Sequence, residues 1–213
     1  MAPTIENRKS KIENSLPALL ACAVAAARAG GNHALRQASR RRQAIQIFRH
    51  DVKLRLDLEC QAEVEAVIRA RFPGHAILGE EDPGGGAAPV PDAVCQWIID
   101  PIDGTVNFSH GLPLWCCSVA VRRRGRTLAG AVYAPALGEL YTASARDGAR
   151  LNGKRIRVSR VRRLDGAVIL TGLDKHAATG VRPFSIFEAL STRVQKTRIM
   201  GSAALDLCQV ACG

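Results

Sequence analysis

At 213 residues, with 47% hydrophobic and 23% charged side chains but only 4% aromatics, the chain has the composition of a globular protein whose core is built from Val, Ile, Leu and Ala. That excludes a disordered tail, and no apolar run reaches the roughly 18 residues a membrane-spanning helix needs. The formal charge of +11 favours anionic partners. Its basic clusters at Arg36–Arg42, Arg122–Arg126 and Lys154–Arg163 read either as an attractor of phosphorylated substrates or RNA, or as a solvated surface. No aromatics interleave with the arginines as a base-stacking platform requires, which weighs toward the second reading. Seven cysteines without a CxxC pair fit buried small hydrophobes. The N-terminal stretch lacks a secretory pattern, so a reducing cytoplasm is the expectation.

In chain order, Ser15 caps a predicted helix that tolerates Pro17 in its first turn and runs to Arg28, where Gly30-Gly31 breaks it. Residues 44–48 and 52–56 read as a hairpin turning at Arg49-His50-Asp51, with Val52, Leu54 and Leu56 alternating against Lys53 and Arg55. After Asp57 comes a helix with Val64, Val67 and Ile68 at helical spacing, ended by Pro73-Gly74. A short strand at 76–78 feeds Gly79-Glu80-Glu81-Asp82, and Pro83–Pro91 reads as a surface loop. Strands follow at 95–99, 118–121, 129–133, 139–142 and 156–158, the later ones antiparallel. A strand at 168–171, a helix at 183–190, a strand at 196–200 and a helix at 203–211 then alternate as in an α/β layer.

The segment Trp97–Phe108, WIIDPIDGTVNF, carries the chemistry. Pro101 biases Asp100 away from helix, placing it at the mouth of a strand. The turn through Pro101-Ile102 brings the Asp100 and Asp103 carboxylates and the Ile102 carbonyl to one side, an oxygen cage suited to a hard divalent cation such as Mg2+. Gly104-Thr105 opens a helical turn whose backbone N–H groups can receive a phosphate. The blander alternative is Asp103 as a helix cap and Asp100 as a turn former. Against it stands a second acidic site after an apolar strand: Glu80, nearest the strand end, is the candidate ligand there, while Glu81 and Asp82 read equally as solvated loop charges.

These segments resemble the inositol monophosphatase family of Mg2+-dependent, lithium-sensitive phosphatases. WIIDPIDGTVNF carries the family's D-P-I-D-G-T-x-N-F signature, ILGEE its acidic motif and RIMGSAALDLCQVACG its Gly-Ser/Thr-Ala-Ala segment, so the resemblance runs from about Leu16 to Gly213. It implies an α/β fold of the αβαβα sandwich type, one domain with an α+β lobe over about 1–160 and an α/β lobe over about 161–213. It also implies that Glu80, Asp100 and the Ile102 carbonyl hold a first Mg2+ and that Asp100 and Asp103 share a second, with two or three ions per site. Asp57 would work with Thr105 on the nucleophilic water; read from the residues alone, Asp57 is equally the N-cap of the following helix. Gly104 and Thr105 would meet the phosphate, and Gly201, Ser202 and Ala203 the sugar-like moiety, with Asp103 binding hydroxyls. Those small residues suit tight packing at a strand-to-helix turn as well.

The activity implied is hydrolysis of a small phosphorylated polyol, inositol monophosphate first, by a cytoplasmic homodimer. The alternatives are a same-fold phosphatase for fructose bisphosphate, histidinol phosphate or a nucleotide, and a non-catalytic member that binds RNA or a transcription factor through the basic clusters. Three departures from the family pattern stand out. Leu54, Arg55 and Leu56 replace a Thr and a small residue, and no lysine lies near Gln46-Ile47. The family's later Trp-Asp motif has no counterpart, since the two tryptophans are Trp97 and Trp115. The expectation is a C-terminally truncated fold with weak or absent turnover.

Overall fold

Strand β4 (Gln96–Asp103) organises the molecule. It runs parallel to β3 (Ala76–Gly79) and antiparallel to β5 (Cys116–Arg123). Beyond β5, β6 (Arg126–Ala134), β7 (Glu139–Ser144), β8 (Gly148–Leu151) and β9 (Lys154–Arg155) add in chain order, each antiparallel to the last, to complete a seven-stranded mixed sheet. The computed structural model describes residues 15–47, 52–82, 91, 94–172 and 183–213. The predicted turn at Arg49-His50-Asp51 and residues 83–90 of the predicted loop lie outside them. The arms of that hairpin are β1 (Ala44–Ile47) and β2 (Val52–Leu54), paired antiparallel as expected.

Helices α1 (Leu16–Arg36) and α2 (Arg55–Arg71) cover one face of the sheet. Leu19, Cys22 and Ala26 of α1 and Val64 and Ile68 of α2 pack on Trp97, Ile99, Val119 and Val121, all essentially inaccessible to water. Each large aliphatic side chain so buried contributes about 1.5–3 kcal/mol. The Trp97 indole N–H donates to His75 Nδ1 at 3.0 Å, and burial next to Arg123 lowers the pKa of that imidazole, which keeps Nδ1 an acceptor. On the other face, α5 (Ala203–Cys212) sets Leu205 against Cys116, Ala134 and Tyr141. A short parallel pair, β10 (Val168–Leu170) and β11 (Lys196–Arg198), follows the main sheet in sequence, with α4 (Pro183–Ser191) against β11. The α/β class read from the sequence is the observed one.

Helix α1 does not break at Gly30-Gly31. A Cβ on Gly30 would lie 2.7 Å from Val64 Cγ2, and one on Gly31 2.8 Å from Tyr133 Cδ1. The pair marks where α1 presses onto α2 and β6, and packing offsets the roughly 1 kcal/mol of helix propensity each glycine lacks. Gly30→Ala is therefore expected to destabilise the protein by about 1–3 kcal/mol in urea unfolding, against the propensity trend.

Two other expectations need correction. Residues 55–56 are helical rather than extended: Leu54 is the N-cap of α2 and Asp57, at its third position, accepts a hydrogen bond from Leu54 N at 2.7 Å. Asp57 thus closes the first turn from inside the helix, the reciprocal half of a capping box, rather than preceding the helix as its N-cap. Residues 156–158 are not a strand. The ladder ends with β9, although Ile156 N still reaches Ala149 O at 3.1 Å. The cysteines behave as expected: all seven are unbridged, and burial pushes the Cys22 thiol up to about 11 and Cys60 to about 12.

Candidate active site

The parallel pairing of β3 with β4 sets two acidic chain segments side by side. Gly79 is in register with Ile99, and Glu80 N donates to Ile99 O at 3.0 Å, so Glu80, just past the end of β3, comes level with Asp100, which is still paired with Ser118 of β5. This is where open α/β sheets place ligands. The register of β4 against β5 slips between Asp100 and Asp103, and the fully buried Pro101 sits inside that bulge, where it has no N–H to leave unpaired. The bulge turns the two aspartates to different neighbours.

Asp100 faces inward. Burial first, then the Glu80 and Asp103 carboxylates and a hydrogen bond with Glu80, push its carboxyl up to about 9. Its Oδ1 is enclosed and has no hydrogen-bond partner among the described residues. Asp57, 2% exposed at the start of α2, adds to the same negative field. The acidic turn itself is clamped from α2. Gln61 Nε2 donates to Asp82 Oδ1 at 2.8 Å, Gln61 Oε1 accepts from Glu81 N at 3.1 Å, and Asp82 Oδ2 accepts from Gly79 N at 2.8 Å. Glu81 forms an ion pair with Lys53, whose ammonium is held above its usual pKa by that contact. Neither Glu81 nor Asp82 is a solvated loop charge.

Asp103 faces the C-terminal segment. Its Oδ2 accepts from Ser202 Oγ at 2.5 Å and Ala204 N at 2.7 Å, and its Oδ1 from Ala203 N at 3.1 Å, so it holds the first turn of α5 from about a hundred residues away. Gly104 makes the approach possible. Its φ of +94° is left-handed, and a Cβ there would lie 2.9 Å from Leu114 O. Thr105 opens the six-residue helix α3 (Thr105–His110), and its hydroxyl donates to Ile102 O at 3.0 Å. Asn107 Nδ2 donates to both Leu114 O and Met200 O at 2.7 Å, binding α3 to the turn that carries Gly201 and Ser202.

The whole described fold lies within one family's sequence pattern. The model of the Inositol monophosphatase family matches residues 16–213. The chain belongs to that family. It is 41% identical over 197 residues to the Nus factor SuhB of Haemophilus influenzae, covering 91% of this chain and 72% of that protein. Among solved structures, the extragenic suppressor protein SuhB from Bartonella henselae superposes with a TM-score of 0.82 at 32% identity, over 92% of this chain and 75% of that one. Inositol monophosphatase from Anabaena (Nostoc) gives 0.80 at 33% identity, over 93% and 72%.

The residues drawn from the inositol monophosphatase resemblance fall into two groups. Glu80, Asp100 and the Ile102 carbonyl are close in sequence and strand order, with Asp57 behind them; Asp103, Gly104, Gly201, Ser202 and Ala203 form a second group around the α5 turn. Thr105 joins the two through Ile102 O. Among the described residues no three His, Cys, Asp or Glu side chains already converge as a ligand set; Asp103 is engaged by α5 and Asp82 by Gln61. The donor chemistry nevertheless fits a hard cation. An enclosed carboxylate oxygen without a partner, beside the Glu80 carboxylate, is relieved by a divalent ion or, without one, by a retained proton.

Sequence reasoning missed Lys53, Gln61 and Asn107. Asn107 stands inside the quoted motif, but nothing in its spacing says what its amide meets. An apolar groove of about 470 Å³ lies elsewhere, on the sheet face beneath α5, lined by Gly130, Val132, Leu207 and Cys208. Its lining is mainly apolar, with Arg150 and a few hydroxyl side chains among it, and holds no carboxylate that could ligate a metal.

Proposed function

We propose that the chain is a Mg2+-dependent phosphomonoesterase acting on a small phosphorylated polyol, inositol monophosphate before other substrates. The observation that carries this reading is Asp100, enclosed with a partnerless Oδ1 beside Glu80, where β3 ends alongside the parallel β4. Glu80, Asp100 and the Ile102 carbonyl would hold a first magnesium ion, and Asp100 with Asp103 a second. Bound there, magnesium supplies positive charge against the phosphoryl oxygens and lowers the pKa of water.

The chain's own residues position the rest. The Thr105 hydroxyl, anchored on Ile102 O, keeps lone pairs that can accept from a water aligned for attack. Asp57, fixed on Leu54 N, would work with Thr105 on that water and take its proton. The backbone N–H groups at Gly104 and Thr105 would receive the phosphate, and Asp103 with the Ser202–Ala203 turn would meet substrate hydroxyls. Phosphate monoesters hydrolyse so slowly in water that accelerations up to about 10²¹ are called for, most of it from charge and positioning.

The test is phosphate release from inositol 1-phosphate, fructose 1,6-bisphosphate, histidinol phosphate and a nucleoside monophosphate, with Mg2+ and with EDTA. Weak but saturable, Mg2+-dependent, lithium-inhibited release that is fastest from inositol 1-phosphate is expected. Release from none of the four would sink the enzymatic reading, and a different preferred ester would move the substrate.

A further inference from the structure

The charge of this protein is not spread over its surface. Residues 122–163, a fifth of the chain, hold eleven arginines, one lysine and two acidic residues, a net +10 of the total +11. The remaining residues are close to neutral, with 18 basic against 17 acidic side chains. An arginine-rich composition in general does not produce that division.

The strand pairings say where the charge sits. Gln96 pairs with Arg122 at one end of the β4–β5 ladder and Asp103 with Cys116 at the other. The β5–β6 turn, with Arg123, Arg124 and Arg126, is therefore about 20 Å from the carboxylates. The β7–β8 turn falls at the same end, since Ser144 is level with Ala129 and Val121, and it adds Arg146. Arg155, on the last strand of the sheet, reaches that turn through Asp147 O at 3.3 Å. All five arginines are exposed. Of the twelve basic residues only Arg163 is in an ion pair among the described residues, with Asp165, and of the two acidic ones Glu139 lies at the opposite turn.

A field meant to draw phosphorylated substrates inward would surround the mouth of the site. These five arginines face away from it. From that placement we propose that the β5–β6 and β7–β8 turns and the β8–β9 edge form a docking surface for the phosphate backbone of a nucleic acid, separate from the candidate active site. Guanidinium forks match phosphate oxygens two at a time and are weakly hydrated, which suits a row of phosphates. The absence of exposed aromatics among them removes base stacking, so contacts go to the backbone and sequence preference is weak. Exposed cations also deter pairing at a sheet edge. That role accounts for charges on β8 and β9, but not for those on two turns that offer no edge.

The experiment uses the full chain and a labelled mixed-sequence single-stranded RNA 20-mer, read by fluorescence anisotropy between 50 and 300 mM KCl. With four to six phosphates contacted, log K is expected to fall against log salt with a slope of about −3 to −4, that is about 0.7 per contact. Replacing Arg123, Arg124, Arg126 and Arg146 together by Gln should flatten the slope by about 2 to 3 and weaken binding at least tenfold at 100 mM salt, with circular dichroism unchanged. Asp100→Asn should bind as the parent does, which separates this surface from the phosphatase reading. Binding that is absent at 50 mM KCl, that survives the four substitutions, or that is lost with Asp100→Asn would overturn the proposal. So would tighter association with phosphatidylserine vesicles or an acidic polypeptide than with RNA.

Discussion

Asp100→Asn is expected to cut Mg2+-dependent phosphate release by about 10³-fold or more and to stabilise the metal-free protein. Losing one preorganised polar group at a reacting phosphoryl or acyl centre costs about 10²–10³ in rate. Asp100 stands above that range because it alone is placed to contact both proposed ions. The stability effect comes from its pKa, pushed up to about 9 by burial and by Glu80, against about 3.9 in an unfolded chain. Between those values the folded chain keeps a proton that the unfolded chain releases, so the unfolded state binds fewer protons and stability falls as pH rises. The slope is at most about 1.4 kcal/mol per pH unit; the contribution is fully present below about pH 4 and gone above about pH 9. Asn cannot ionise. In EDTA, the variant's melting temperature should exceed the parent's at pH 8 and match it more closely at pH 5. Mg2+ should raise the parent's melting temperature and leave the variant's nearly unchanged. Parental turnover in the variant would remove Asp100 from the chemistry, and a parental pH slope would show that its carboxyl is not the group holding the proton.

What the sequence disclosed and what it hid follow from the same physics. DPIDGT was readable because its constraints are local: Pro101 restricts Asp100, Gly104 supplies a left-handed φ, and a strand must precede both. The antiparallel run from β5 to β7 was readable from short strand-like runs punctuated by Gly125 and Pro135-Ala136. Gly30-Gly31 misled because a glycine that ends a helix and one that lets two helices touch look identical in one sequence, and the Val64 and Tyr133 contacts are made by residues 34 and 102 positions away. Leu54-Arg55-Leu56 misled because alternation over three residues does not separate the last turn of an extended segment from the first turn of a helix, and a carboxylate three residues after Leu54 settled it. Glu81 and Asp82 looked like loop charges because their partners, Lys53 and Gln61, belong to a hairpin and a helix more than twenty positions earlier. The charge of +11 was visible from the start, yet the gathering of Arg123, Arg124, Arg126 and Arg146 at one end of the sheet depends on which turns share that end, and that is a matter of strand pairing.

Asn107→Ala is expected to cost about 2–4 kcal/mol and to loosen the α5 turn from Asp103. The Nδ2 group makes two short bonds, to Leu114 O within its own loop and to Met200 O across 93 residues. Alanine leaves two part-buried carbonyls without that donor, at about 1–3 kcal/mol each. The consequence reaches the site because Met200 immediately precedes Gly201, and the Ser202 hydroxyl and the Ala203 and Ala204 amides all bond Asp103. Asn107→Asp separates hydrogen bonding from packing: it keeps the shape but sets a carboxylate against two carbonyl oxygens, so it should be at least as destabilising as alanine. Amide hydrogen exchange gives the local readout. In the Ala variant Ala203 and Ala204 should exchange at least tenfold faster than in the parent, while Val119, in the middle of the sheet and paired with both β4 and β6, changes only by the global loss of stability. If Ala203 and Ala204 exchange no faster relative to Val119 than they do in the parent, the Asn107 bridge is not what holds the first turn of α5 on Asp103.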